Sequence, residues 1–244
     1  MGKLSAFLVA VLALPLISCS SSASEQSVAA NPVPVVKQQA LGQPVYIQVF
    51  KEERTLELYA KLQGKYQLVD SYRICKFSGG LGPKRTEGDL KSPEGFYQAT
   101  MSQLKPDSRY YQAINIGFPN EFDRAHGYSG KYLMIHGDCV SVGCYAMTDA
   151  YIAEIYRYVN SALINGQPAV NISIYPFRMT EKNMQRHRNS SYYSFWKQLQ
   201  PAYAYFNEYR QAPQVDVFNG QYVVNRPPML SGQSPSQLAF AKQE

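Results

Sequence analysis

The stretch Ile135-His136-Gly137-Asp138-Cys139-Val140-Ser141-Val142-Gly143-Cys144-Tyr145 gathers reactive side chains within one short segment. A hydrophobic run delivers His136, a turn with two glycines follows, and Cys144 stands just before a helix expected to start at Thr148. Cysteine hydrolases and acyltransferases need a thiolate, a base within hydrogen-bond reach and backbone N–H groups for an oxyanion. An imidazole near Cys144 would stabilise the thiolate, with a pKa below the usual ~8.5, and later protonate a leaving amine. Gly143 lets a substrate carbonyl approach the backbone closely. The residues alone leave three other readings open. His and Cys can be structural neighbours. His136, Cys139 and Cys144 can hold zinc, although a fourth ligand and a Cys-x-x-Cys pair are missing. Cys139 and Cys144 can form a redox pair, although their spacing is not that of thioredoxin-like sites.

The elements that must position this stretch are mostly strands. Val45 to Phe50, Leu56 to Ala60 and Tyr66 to Ile74 read as an antiparallel meander, because apolar residues alternate and short turns separate them. Phe96 to Leu104, Gln112 to Phe118, Tyr132 to His136 and Val170 to Tyr175 read as further strands. Ile152, Ile155, Tyr156, Val159 and Leu163 recur at helical spacing, with Thr148 as N-cap and Gly166-Gln167-Pro168 as the stop. Thr180 to His187 and Tyr192 to Arg210 also read as helices, and residues 226 to 244 as a loose tail. The fold class expected is α+β: a mostly antiparallel β-sandwich with one long helix after the Cys loop and a helical C-terminal extension.

The chain has 244 residues and a net charge of +6, with 45% hydrophobic and 17% charged residues. This excludes wholesale disorder and a polytopic membrane protein. The charge favours anionic partners, but no basic stripe or helix-turn-helix signature points to nucleic acid. Twenty Tyr against one Trp suit a groove for a polar ligand, or equally a wet sheet surface. Lys3 and the apolar run Ala6 to Leu14 form a leader too short to span a bilayer comfortably. Leu16-Ile17-Ser18-Cys19 resembles a bacterial lipobox, which implies lipidation at Cys19; a plain secretory signal is the alternative. Ser20 after the Cys implies, by the same resemblance, the outer membrane of a Gram-negative periplasm. The expected organisation is therefore a signal peptide over 1–18, a flexible tether over 19–43, a catalytic domain over 44–176 and a C-terminal extension over 177–244.

Ile135-His136-Gly137 with Ser141-x-Gly143-Cys144 resembles the signature of the L,D-transpeptidase (YkuD) superfamily. Gly88-Asp89-x-x-Ser92-Pro93-Glu94-Gly95-Phe96-Tyr97 resembles a second segment of that family, and the wording around Cys144 resembles its YafK-like subgroup. The resemblance covers roughly Pro44 to Pro176. It implies Cys144 as nucleophile, His136 as general base and acid, and an oxyanion turn shaped by Gly143 with the Cys144 and Tyr145 N–H groups as donors. It implies attack on the L-centre carbonyl of meso-diaminopimelate in peptidoglycan stem peptides, without metal or organic cofactor. The subgroup includes a murein hydrolase that releases Braun lipoprotein, so hydrolysis of that link is the outcome expected. Crosslink formation, lipoprotein attachment and a non-catalytic wall-binding lipoprotein are the alternatives. Two departures stand out: Val142 replaces a second His found in most members, and the His136–Cys144 loop is short.

His126 competes as base, although its loop setting equally suits a packing or surface role. His187 reads as part of a solvated face. Lys84, Arg85 and Arg124 are candidates to grip a substrate carboxylate, or are simply solvated. Besides Cys19, the thiols are Cys75, Cys139 and Cys144. If Cys144 stays free, Cys75 and Cys139 are the only pair left for a disulfide; a Cys139–Cys144 bond and reduced, inert thiols are the alternatives.

Overall fold

Two sheets packed around a helix carry the loop from His136 to Cys144. The computed structural model describes residues 1–2 and 32–225. The chain divides into Met1–Ala30 and Asn31–Glu244, and every element below belongs to the second part. The leader and Cys19, residues 20–31 of the expected tether, and the expected tail lie outside the described residues.

The larger sheet runs β3-β2-β1-β9-β4, from β1 (Val45–Phe50), β2 (Thr55–Leu62), β3 (Lys65–Arg73), β4 (Gly95–Ala99) and β9 (Val170–Tyr175). β1, β2 and β3 form the expected antiparallel meander, β9 lies parallel to β1, and β4 pairs antiparallel with β9. The smaller sheet runs β5-β6-β7-β8, from β5 (Leu104–Ser108), β6 (Tyr111–Asn115), β7 (Met134–His136) and β8 (Tyr145–Ala146). Helix α2 (Glu121–Ala125) lies between β6 and β7 in the chain.

Helix α3 (Asp149–Ile164) begins where expected, because the Thr148 side chain accepts a hydrogen bond from the Tyr151 N–H. Its apolar stripe of Ile152, Ile155, Val159 and Leu163 enters the main core with Val45, Ile47 and Val49 of β1 and Ile114 and Ile135 of the smaller sheet.

β1 is buried on both faces, so its alternation does not separate core from solvent. Tyr46 and Phe50 meet the helix α5 (Tyr193–Tyr209) through Phe206 and Tyr203. Tyr46, Tyr72, Tyr145, Tyr158 and Tyr175 are fully buried and so belong to neither a ligand groove nor a wet sheet surface, whereas Tyr111, Tyr132, Tyr151 and Tyr209 are exposed. Three of the buried tyrosine hydroxyls donate within the protein, Tyr46 to Ser173 Oγ at 2.7 Å, Tyr145 to the Pro93 carbonyl at 2.6 Å and Tyr158 to the Lys37 carbonyl at 3.0 Å, whereas those of Tyr72 and Tyr175 have no hydrogen-bond partner among the described residues.

Two further corrections concern the ends. Order does not begin near Pro44: helix α1 (Pro32–Ala40) packs Ala40 into the core, and the Tyr158 hydroxyl donates to the Lys37 carbonyl at 3.0 Å. Proline is tolerated in a first helical turn, where the missing N–H has no intrahelical partner to lose. The C-terminal part is not purely helical. After α4 (Glu181–Arg186) and α5 it forms an antiparallel hairpin of β10 (Val215–Phe218) and β11 (Gln221–Val224). Among the described residues, no helix is long and apolar enough to cross a membrane.

Candidate active site

Strand β7 carries His136 between two neighbours: Ala113 of β6 and Ala146 of β8 lie opposite it. β8 runs parallel to β7, so the residue two before Ala146 returns to the face His136 occupies. That residue is Cys144. His136 and Cys144 both line a cleft of about 540 Å³ with Ser108, Arg109, Tyr110, Tyr132, Met134, Val140, Ser141 and Val142.

The connecting loop is tightly held. Gly137 has no room for a side chain, because a Cβ there would lie 2.5 Å from Asp149 Oδ1 and 2.9 Å from the Tyr110 carbonyl. The Asp138 N–H donates to Asp149 Oδ1 at 2.8 Å. Cys139 is disulfide-bonded to Cys75, with Cα atoms 5.2 Å apart. Of the thiol arrangements considered above, this is the Cys75–Cys139 pair. It withdraws Cys139 from both the zinc set and a bond to Cys144, which remains a free cysteine.

Three serines fix the Gly143–Cys144 turn. Gly143 adopts φ +87° and donates its N–H to Ser78 Oγ at 2.7 Å. The Cys144 carbonyl accepts from Ser92 Oγ at 3.0 Å and from Ser141 Oγ at 2.7 Å. Ser92 Oγ also accepts from the Ser78 N–H at 3.2 Å, which ties the two supports together. Ser92 is fully buried in the segment that ends in Glu94. Glu94 is a buried partner of Lys51 at 2.9 Å and accepts from Trp196 Nε1 of α5 at 2.8 Å. The C-terminal helix thus braces the segment that braces Cys144.

His136 is 2% exposed. Its Nδ1 lies 2.6 Å from the Gly137 carbonyl, an acceptor, so Nδ1 carries the proton and Nε2 keeps its lone pair. The Tyr110 ring lies against the imidazole at 4.7 Å between centroids. Burial pulls the His136 pKa below its ordinary value, against the Gly137 hydrogen bond and the Asp138 charge. Burial pushes the Cys144 thiol up, against the backbone of Met134 and the charge of Lys84. Both shifts favour neutral forms. These directions run opposite to the lowered thiol pKa expected from the sequence: burial favours a neutral Cys144 thiol and a neutral His136 imidazole.

The remaining candidates fall elsewhere. Gly143 spends its N–H on Ser78, so it shapes the turn without donating into the cleft. The Cys144 N–H makes no hydrogen bond among the described residues. Tyr145 pairs with Ile135 in the ladder, and its buried hydroxyl donates to the Pro93 carbonyl at 2.6 Å. Lys84 is 5% exposed and spends its ammonium on Asp89 at 2.7 Å and the Thr86 carbonyl at 2.9 Å. Arg85 lies over the Tyr192 ring, outside the cleft. Arg124 lines a different cavity and donates to the Pro119 carbonyl. His126 stacks on Phe122 at 4.1 Å, also outside the cleft. His187 is not a freely solvated residue: it stacks on Phe177 at 4.3 Å and lies 3.2 Å from Glu52. Arg109, Tyr110 and Tyr132 went unread in the sequence. Arg109 carried a weak signal, as a lone cation in the short link between two strands.

Comparison with known proteins follows the same lines. Residues 44–170 match the model of the L,D-transpeptidase catalytic domain, YkuD. The chain is 61% identical over 220 residues, 89% of each chain, to the Escherichia coli (strain K12) protein named "Putative L,D-transpeptidase YafK". The same figures hold for its Escherichia coli O157:H7 counterpart. Among solved structures, the helical cell shape determining protein Pgp2 of Campylobacter jejuni is 17% identical, with a TM-score of 0.46 over 71% of this chain and 72% of that one. Bd1075 of Bdellovibrio bacteriovorus is 19% identical, with a TM-score of 0.39 over 68% and 56%. The chain therefore belongs to the L,D-transpeptidase (YkuD) family, as a YafK-like member.

Proposed function

We propose that the chain is a peptidoglycan-directed cysteine acyl enzyme with Cys144 as nucleophile and His136 as base and acid. One observation carries this reading: the free Cys144 and a His136 whose Nδ1 is fixed by a backbone carbonyl share one cleft. The Cys144 thiol gives its proton to His136 Nε2 as Sγ bonds to the L-centre carbonyl of diaminopimelate. The oxyanion is held by the Cys144 N–H, because the Tyr145 N–H lies in the β7–β8 ladder. The C–N bond then breaks, and His136 returns the proton to the leaving amine. Water, deprotonated by His136, resolves the thioester and restores the thiol. The leaving amine proposed is the lysine of a Braun-type lipoprotein, so the reaction is hydrolysis. An amine in place of water would make it transpeptidation.

The membrane reading is also a proposal: lipidation at Cys19, at the outer membrane of a Gram-negative periplasm. Because α1 starts at Pro32, only residues 20–31 separate Cys19 from the folded part. Even fully stretched, such a segment reaches about 40 Å. Wild type and Cys19→Ala appearing alike in the soluble fraction would refute the anchor.

The deciding experiment incubates the purified chain with muropeptides and with lipoprotein-linked sacculi and follows both products and protein by mass spectrometry. A mass increment on the Cys144 peptide and release of lipoprotein are expected. Full activity in Cys144→Ala refutes the chemistry. Crosslinked products without release would replace hydrolysis with transfer.

A further inference from the structure

Arg109 is the one formally charged side chain among the residues that line the Cys144 cleft. It makes no ion pair among the described residues. Its guanidinium lies over the Tyr110 ring at 4.7 Å, and an Nη2 N–H donates to the Tyr110 hydroxyl at 2.8 Å. Five N–H donors serve a guanidinium, so one such bond leaves a fork free. The same Tyr110 ring packs on His136 at 4.7 Å, which holds the fork beside the base. Tyr132, Met134, Val140 and Val142 make much of the remaining wall apolar. An unpaired guanidinium fork at the rim of such a wall is available to an anion.

We propose that Arg109 is a carboxylate subsite, and that it makes the cleft select stem peptides bearing a free carboxylate close to the scissile carbonyl. This rests on the diaminopimelate reading above. A guanidinium fork takes a carboxylate with two parallel hydrogen bonds, geometry that a lysine cannot reproduce. Two carboxylates of such a substrate lie near enough. One is on the D-centre of diaminopimelate, the other is the α-carboxylate of the leaving amino acid. A carboxylate seated here would also favour the imidazolium that forms on His136 as the thiol is deprotonated. The earlier cationic candidates do not fill this role, because Lys84 is spent on Asp89 and neither Arg85 nor Arg124 lines the cleft.

The test uses the full chain carrying Cys144→Ala, so that peptide binds without being consumed. Calorimetric titration compares a diaminopimelate tetrapeptide with two analogues, one amidated at the D-centre and one at the terminal carboxylate. Adding Arg109→Ala is expected to weaken binding of the free peptide about 10- to 100-fold. Arg109→Lys should restore only part of the loss. One of the two amidations should cost as much as Arg109→Ala and should abolish the effect of that substitution, which identifies the carboxylate. Arg109 is exposed, so an unchanged melting temperature should accompany each variant. Equal weakening on all three peptides, a change under twofold, or no measurable binding by Cys144→Ala would each overturn the subsite. Turnover of the same peptides by wild type is read separately. Absence of turnover alongside carboxylate-dependent binding would fault the proposed chemistry and leave the subsite standing.

Discussion

Of two cavities formed by the described residues, the larger has the poorer chemistry. The larger, about 720 Å³, lies along β4 and the β10–β11 hairpin, and much of its polar lining bonds within the protein. Asn120 Nδ2 donates to the Phe96 carbonyl and the Tyr222 hydroxyl, both at 2.7 Å. Gln98 is bound to Asn171 at 2.9 Å, and Arg124 to the Pro119 carbonyl. The smaller cleft keeps two groups with capacity to spare, His136 Nε2 and the Arg109 guanidinium, together with a Cys144 thiol whose S–H reaches only the Tyr132 carbonyl at 3.7 Å. The difference teaches that unspent bonding capacity, not volume, marks the site. Around the larger cavity hydrogen bonds mostly stabilise; around the smaller one they hold backbone still and leave side chains available.

The largest effect on turnover should come from the nucleophile. Cys144→Ala is expected to lower the rate by at least ~10⁴-fold. Arg124→Ala, in the larger cavity, should change it by less than twofold. Parallel assays on lipoprotein-linked sacculi check both, and a comparable loss in Arg124→Ala would erase the contrast between the cavities.

Next comes His136→Ala, with an expected loss of about 10²- to 10⁴-fold. Its pH dependence follows from burial. Because the neutral imidazole is favoured, activity should rise with pH through a limb below the ordinary value of about 6.5 and stay high above it. The thiol is shifted the other way, so alkylation of Cys144 by iodoacetamide should climb only above its ordinary value of about 8.5. An alkylation inflection near pH 6 in wild type would mean a pre-formed thiolate–imidazolium pair and would replace the neutral resting state.

Ser92 ranks third. Ser92→Ala removes one of the two hydroxyls on the Cys144 carbonyl and the acceptor of the Ser78 N–H. Misplacing a nucleophile by a fraction of an ångström should cost about 10- to 100-fold in kcat with little change in KM. Ser92→Thr keeps the hydroxyl and should recover most of the rate. A loss in Ser92→Thr equal to that in Ser92→Ala would point to packing rather than to the hydrogen bond.

What the sequence disclosed was local. The β1–β3 meander, the Thr148 cap and the His136–Cys144 spacing depend on neighbours within a few residues, and alternation or capping chemistry reveals them. Long-range events were hidden. β8 is two residues long and exists only because β7 and Lys76 flank it. The face of β1 bearing Tyr46 and Phe50 is covered by α5, about 150 residues downstream, so its aromatic character gave no sign of which partner buries it. Residues 32–40 fall within the expected flexible tether, yet they form α1. Charge was misread for a similar reason. Lys84 and Arg109 are alike as isolated cations, and only the fold places Asp89 against one and an open cleft against the other.

The smallest effect on turnover, and the sharpest separation of the two regions, should come from Asp123. This carboxyl is 1% exposed in α2, close to the larger cavity, and accepts from the Tyr97 hydroxyl at 3.1 Å and the Asn120 N–H at 3.0 Å. Burial outweighs those hydrogen bonds and raises its pKa to about 6. The sign follows directly. Between the unfolded value of 3.8 and about 6, the folded chain binds the proton more tightly, so this group's contribution to stability falls as pH rises through that window and is flat above it. A shift of about two units corresponds to roughly 3 kcal/mol. Asp123→Asn removes the titration while keeping an oxygen to accept a hydrogen bond. The variant should lose the pH 4 to 6 slope in denaturant unfolding, relative to wild type, while its turnover at pH 7 changes less than twofold. The acid limb of activity, which belongs to His136, should stay in place. If Asp123→Asn moved that limb, the two regions would be electrostatically coupled and the division between a stabilising face and a reactive cleft would fail.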